Sequence, residues 1–98
     1  MYKDIITYQL ADNITEEHLV KVAGDIVNTW MKNQPGFISW EIHSCSDKSY
    51  SDVVSWASEE AAQKAELAMA NIPNAHEWYG CYKLETVSSK KLTKLASF

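Results

Sequence analysis

Two histidines and one aspartate are the groups in this 98-residue chain that a proton-transfer reaction would draw on. His43 and Asp52 flank a turn-forming run at residues 46–49. A two-residue turn at Asp47-Lys48 would set them opposite one another across a hairpin, with Glu41, Val54 and Trp56 on the same face. An imidazole beside a carboxylate holds its proton more readily and has a fixed tautomer, which suits a general base acting on a phenolic proton. A three-residue turn would put the two on opposite faces and leave His43 a surface or interface hydrogen bond. His76 is the second candidate base. It precedes Trp78 and Tyr82, which on a strand would share one face and could stack on a flat aromatic ligand. Its alternative is a water-exposed connector between a helix and a strand. Trp56, Trp40 and Tyr8 are suited to the walls of a cleft, although such residues are more often core or dimer contacts.

Other chemistries find little footing. The chain has no Ser/His/Asp nucleophile pattern, no glycine-rich phosphate loop and no metal-ligand cluster. Cys45 and Cys81 lack CxxC or Cys/His spacing, so buried, unreactive thiols are expected and no metal site. Net charge is −4 and all nine cations are lysines, which argues against a nucleic-acid partner, since such binding relies on clustered positive charge and often on the arginine fork. Asp4 and Asp12 interrupt the first fifteen residues and no run of about eighteen apolar residues occurs, so neither a signal peptide nor a membrane span is expected, and the cytoplasm is the default location.

Residues 2–10 are rich enough in β-formers for a strand, and Asp12-Asn13 breaks it. Asn13 or Thr15 caps a helix whose first turn holds Glu16 and Glu17. Leu19, Val22, Ala23, Ile26, Val27 and Trp30 then recur at three- and four-residue steps. Pro35-Gly36 stops it, since proline lacks the amide that a continuing helix needs. The hairpin follows, with arms at residues 38–42 and 50–56. Ser58-Glu59-Glu60 opens a second helix with a small-residue face, ended by Pro73. A last strand is expected over residues 76–87. The tail, residues 88–98, is left open between a short extra strand and an arm laid over a partner.

The order β-α-β-β-α-β predicts one α+β domain over residues 1–98, ferredoxin-like, with a four-stranded antiparallel sheet and both helices on one face. The second and fourth strands fall on opposite edges, too far apart for Cys45 and Cys81 to bridge within one chain. The other sheet face has no cover, and a two-fold homodimer pressing two sheets together would supply it.

Gln34-Pro35-Gly36-Phe37-Ile38-Ser39 with Glu41, then Asp52-Val53-Val54, Trp56, Ser58, Glu60 and Ala61, resembles the antibiotic-biosynthesis-monooxygenase family of dimeric α/β barrels. The resemblance spans residues 2–87 and is concentrated between Gln34 and Ala61. It implies a ligand cleft between helices and sheet in each subunit. It also implies oxidation of a planar aromatic or quinol substrate by dioxygen without a cofactor, or haem degradation. The haem-degrading pattern wants an asparagine on the first strand, a tryptophan on the second helix and a histidine near that helix's end; only His76 is near its place, so haem degradation is disfavoured. The polyketide-oxidising pattern wants an arginine that this chain lacks. The reading is therefore a monooxygenase-like protein binding a small aromatic ligand, with His76, His43 and Asp52 handling protons and Trp78, Tyr82, Trp56, Trp40 and Tyr8 binding substrate. Its alternative is a catalytically silent ligand-binding or structural homodimer of the same fold.

Overall fold

A computed structural model describes residues 1–98. The elements are β1 (Tyr2–Tyr8), α1 (Glu16–Thr29), β2 (Phe37–Ser44), β3 (Tyr50–Trp56), α2 (Glu59–Ala68), a short α3 (Ala75–Tyr79) and β4 (Ser88–Thr93). The four strands form one antiparallel sheet in the order β2-β3-β1-β4, the expected ferredoxin-like arrangement with β2 and β4 on the two edges. No helix is long and apolar enough to cross a membrane.

Each main helix begins on a side-chain cap. The Thr15 hydroxyl accepts from the His18 amide at 3.1 Å, and Ser58 accepts from the Ala61 amide at 3.1 Å, so each satisfies an amide with no partner inside the helix. Leu19, Val22 and Ile26 of α1 are buried against the sheet, as their spacing predicts; α2 approaches through Ala62 and Ala65. The sheet answers with one phase of its alternation: Tyr2, Ile6 and Tyr8 from β1, Val54 and Trp56 from β3.

The structure settles one alternative that the sequence left open, the length of the hairpin loop, and departs from the sequence reading in two other places. The hairpin loop is closed by Cys45 and Ser49, whose backbones bond at 2.8 Å, and Lys48 takes the left-handed conformation at φ 68°. This is a three-residue loop, a type I turn followed by a left-handed residue. It shifts the register by one from the two-residue alternative, so Ile42 opposes Asp52 and His43 opposes Ser51. A bulge between Phe37 and Ser39 then rephases β2. Phe37, Trp40 and Ile42 pack on the core, while Ile38 is exposed.

The last strand also lies elsewhere. Residues 76–87, expected as a strand, hold α3, a turn and an irregular segment, and the fourth strand is β4 in what was read as the tail. The spacing of Trp78 and Tyr82 explains the difference: four residues is even, so it fits a strand face, and it is also one helical turn. The segment after α3 runs beside the end of β1, through the Ala11 amide to the Cys81 carbonyl and the Lys83 amide to the Gln9 carbonyl, both 2.9 Å. Both thiols are free; Cys81 is buried and Cys45 is partly exposed.

Candidate functional site

Asp52 is the centre of the polar interior. Its side chain is fully buried and accepts from three donors: the Tyr8 hydroxyl at 2.8 Å, the Trp40 indole at 3.1 Å and the Tyr82 hydroxyl at 3.2 Å. The Trp78 indole in turn donates to the Tyr82 hydroxyl at 2.6 Å. Sheet register accounts for this convergence. Asp52 on β3 opposes Ile6 on β1 and Ile42 on β2, so Tyr8 and Trp40 are its diagonal neighbours on the same face, within reach of long side chains. Tyr82 arrives from the other side of the chain, docked by its bridge to Leu10, with its ring centroid 4.2 Å from that of Tyr8. The Trp40 and Trp78 rings meet edge to face at 5.5 Å.

Burial pushes the Asp52 carboxyl above the usual carboxylate range, even though its hydrogen bonds to Tyr8, Trp40 and Tyr82 pull the other way. Burial, reinforced by the negative charge of Asp52, raises the Tyr8 and Tyr82 phenols far above their ordinary value. Both phenols therefore stay protonated and act as fixed donors.

A cavity of about 330 Å³ opens beside this network, between the sheet and the helices. Trp40, Trp56, Trp78, Tyr79 and Tyr82 line it with aromatic surface, and Asp52 with its one buried carboxylate. Its other charged lining is Asp4, Glu66 and Lys91. Asp4 and Lys91 are register partners on β1 and β4; Lys91 Nζ lies 4.0 Å from Asp4 Oδ1 and 3.3 Å from Glu66 Oε2. Burial raises the Asp4 carboxyl, an effect that Lys91 partly offsets, and the hydrogen bond to Glu66 holds the Lys91 ammonium more firmly protonated.

A pH dependence follows from Asp4. A carboxyl raised by folding binds its proton more tightly in the native chain, so its contribution to stability is fully present below the unfolded value and is lost as pH rises through the folded one. Asp4→Asn lacks this contribution. In urea titrations the variant is therefore expected to gain stability relative to wild type between mildly acidic and neutral pH; a difference constant across that range would contradict it.

The structure gathers five of the eight residues singled out from the sequence around one cavity, namely Asp52, Trp40, Trp56, Trp78 and Tyr82, with Tyr8 behind them on Asp52. It separates the histidines from them. His43 does not pair with Asp52. It lies on the other sheet face, its Nε2 2.9 Å from Glu41 Oε1, with both side chains more than half exposed. His76 is exposed in the first turn of α3 and does not share a face with Trp78, which is buried. No group of three or more His, Cys, Asp or Glu side chains is placed to hold a metal ion.

Sequence reasoning missed Asp4, Lys91 and Glu66. One signal was available: Asp4 stands in the inward phase of β1, between Tyr2 and Ile6, where a charge is out of pattern. Lys91 was hidden by the misplaced last strand.

No family model and no curated protein matches the sequence. Solved structures do match. SnoaB, a cofactor-independent oxygenase from Streptomyces nogalater, superposes with a TM-score of 0.76 at 15% identity, over 98% of this chain and 94% of that one. The ActVA-Orf6 monooxygenase of Streptomyces coelicolor, solved with nanaomycin D, gives 0.63 at 21% identity, over 99% and 89%. A variant of MhuD with two manganese protoporphyrin IX bound per active site gives 0.68 at 16% identity, over 100% and 98%. Element order, sheet topology and these superpositions together show that the chain has the fold of the antibiotic-biosynthesis-monooxygenase structures.

Proposed function

We propose that this protein binds a planar aromatic molecule in the cavity beside Asp52 and oxidises it with dioxygen, without a bound cofactor. The observation that carries the reading is the cavity itself: aromatic on most of its surface, with a buried carboxylate held by three donors and a charged patch at β1 and β4. Neighbours of the same fold include a cofactor-independent oxygenase and a monooxygenase solved with the ligand nanaomycin D. Flat substrates fit such walls because ring stacking supplies orientation and excludes water. For an anthrone-type substrate the balance is one CH₂ and one O₂ giving one C=O and one H₂O, so no outside reductant is consumed. Deprotonation makes the ring electron-rich enough to pass electrons to oxygen, and the protein contributes desolvation, orientation and anion stabilisation.

In an oxygen electrode with anthrone, consumption well above the rate in buffer is expected. His76→Ala and His43→Ala should stay within about twofold of wild type, because neither side chain lines the cavity, whereas losing a true general base costs about 10²–10⁴-fold. A collapse in the His76 variant would return that residue to the reaction. One observation favours the catalytically silent reading: both Asp52 oxygens are already engaged by the protein's own donors. Ligand binding without oxygen uptake would support it.

The proposal includes a two-fold homodimer. The sheet face away from the helices carries Ile5, Val53 and Leu92 among Ser39, Glu41, Thr7 and Lys90, and no element of the chain covers it. Sedimentation equilibrium at micromolar concentration should return twice the chain mass; a single chain mass would remove the dimer from the reading.

A further inference from the structure

Asp4 is an unusual residue for the inner side of a sheet. Its Oδ1 is shielded from solvent and has no hydrogen-bond partner, the one such side-chain atom in the protein. Buried polar atoms in native structures are paired in the large majority, so an orphan calls for a partner such as a water, an ion or a ligand group. Here that oxygen sits 4.0 Å from Lys91 Nζ, in the lining of the aromatic cavity, and Lys91 is steadied from α2 by Glu66. The other titratable group close to Asp4 is the Tyr2 phenol on the same strand.

We propose that Asp4 and Lys91 form a proton-accepting and anion-holding pair, and that the cavity therefore takes aromatic ligands carrying an acidic ring hydroxyl. This rests on the aromatic-ligand reading above and assigns the ionisable end of that ligand. The ligand O–H bond breaks, the proton forms a new O–H bond on Asp4 Oδ2, the accessible oxygen of that carboxylate, and the electron pair stays on the ligand oxygen facing the Lys91 ammonium. Net charge does not change, since carboxylate plus neutral phenol becomes neutral carboxyl plus phenolate beside the same cation. Such an exchange brings no new charge into the aromatic cavity, where an unpaired charge would be costly. Burial of Asp4 assists, because a raised carboxyl is a stronger acceptor. The two partners come from adjacent strands whose register fixes them face to face, so the pair is set before any ligand enters.

The test uses alizarin, 1,2-dihydroxyanthraquinone, whose neutral and phenolate forms differ in visible absorption and which needs no oxygen to bind. Titrations are run below the free dye's own pKa, and proton exchange is counted by calorimetry in buffers of different ionisation enthalpy. With wild type, the bound dye is expected as phenolate with no proton released to buffer and a dissociation constant flat with pH. With Asp4→Asn, phenolate should form only with release of one proton, and affinity should tighten by about tenfold per pH unit. With Lys91→Met, the phenolate spectrum should be lost. Dye bound to wild type as the neutral phenol, or as phenolate with its proton released to buffer, would overturn the pair while leaving the aromatic site standing. Failure of wild type to bind the dye at all would reject the aromatic site and the pair together.

Discussion

Asp52→Ala is expected to be the most damaging single polar substitution in this protein, lowering stability by about 3–5 kcal/mol. Three donors, from Tyr8, Trp40 and Tyr82, converge on this carboxylate in a fully buried position, and none has another acceptor in the structure. Removing the acceptor leaves each donor desolvated and unpaired, at about 1–3 kcal/mol apiece before any relaxation. The buried charge disappears as well, which offsets part of that loss and keeps the sum below the simple total. In a domain of this length one kcal/mol moves the melting temperature by about 4–8 °C, so a fall of about 12 °C or more is expected in a calorimetric scan. Asp52→Asn should lie in between, because the amide retains one acceptor oxygen but turns an NH₂ toward donors. The mechanism has a sharper check than the single value. If orphaned donors cause the loss, Tyr82→Phe should cost clearly less in the Asp52→Ala background than in wild type. Strict additivity, or a loss below about 0.5 kcal/mol for Asp52→Ala, would mean the network contributes little.

Gly36→Ala is expected to cost about 2–4 kcal/mol, the largest effect of any one-carbon addition here. The backbone at Gly36 has φ +84°, where an L side chain is strained. A Cβ built there would lie 2.5 Å from the Ala61 Cβ in the first turn of α2. Neither atom has a flexible end that could swing away. The contact sits at a junction, since the Gly36 carbonyl accepts from the Ala57 amide at 2.7 Å, tying the start of β2 to the entrance of α2. Opening it would move α2, and with it Ala62 and Glu66 in the cavity lining. Loss of dye binding together with a lower melting temperature is therefore expected. The companion variant Ala61→Gly, which removes the clashing methyl, should recover part of the Gly36→Ala loss, leaving the backbone strain behind. No recovery would place the whole cost in the backbone angle.

The stretch from Gln34 to Ala61 deserved the weight placed on it in the sequence, for reasons visible in these two sites. Pro35-Gly36 follows the 3-10 turn at Met31–Asn33, after α1 has ended at Thr29, and makes the tight approach to α2, and the hairpin after it carries Trp40, Asp52 and Trp56 inward together. The helices were equally plain: capping hydroxyls at Thr15 and Ser58, acidic first turns, and an apolar stripe from Leu19 to Ile26 are local signals that depend only on neighbouring residues. Element order then restricts the connections to the ferredoxin-like sheet.

What local patterning determined on its own was thus the order of elements, the ferredoxin-like topology and the buried face of α1. The tertiary structure alone decided which titratable groups share that cavity. One extra residue in the hairpin loop sent His43 to the far face, because side-chain direction along a strand alternates with every residue. A spacing of four, which strand and helix satisfy alike, hid α3 and moved the fourth strand to Ser88–Thr93. Only when that strand pairs with β1 does Lys91 come to face Asp4, and a pairing between residues 87 positions apart leaves no trace in either segment's own pattern.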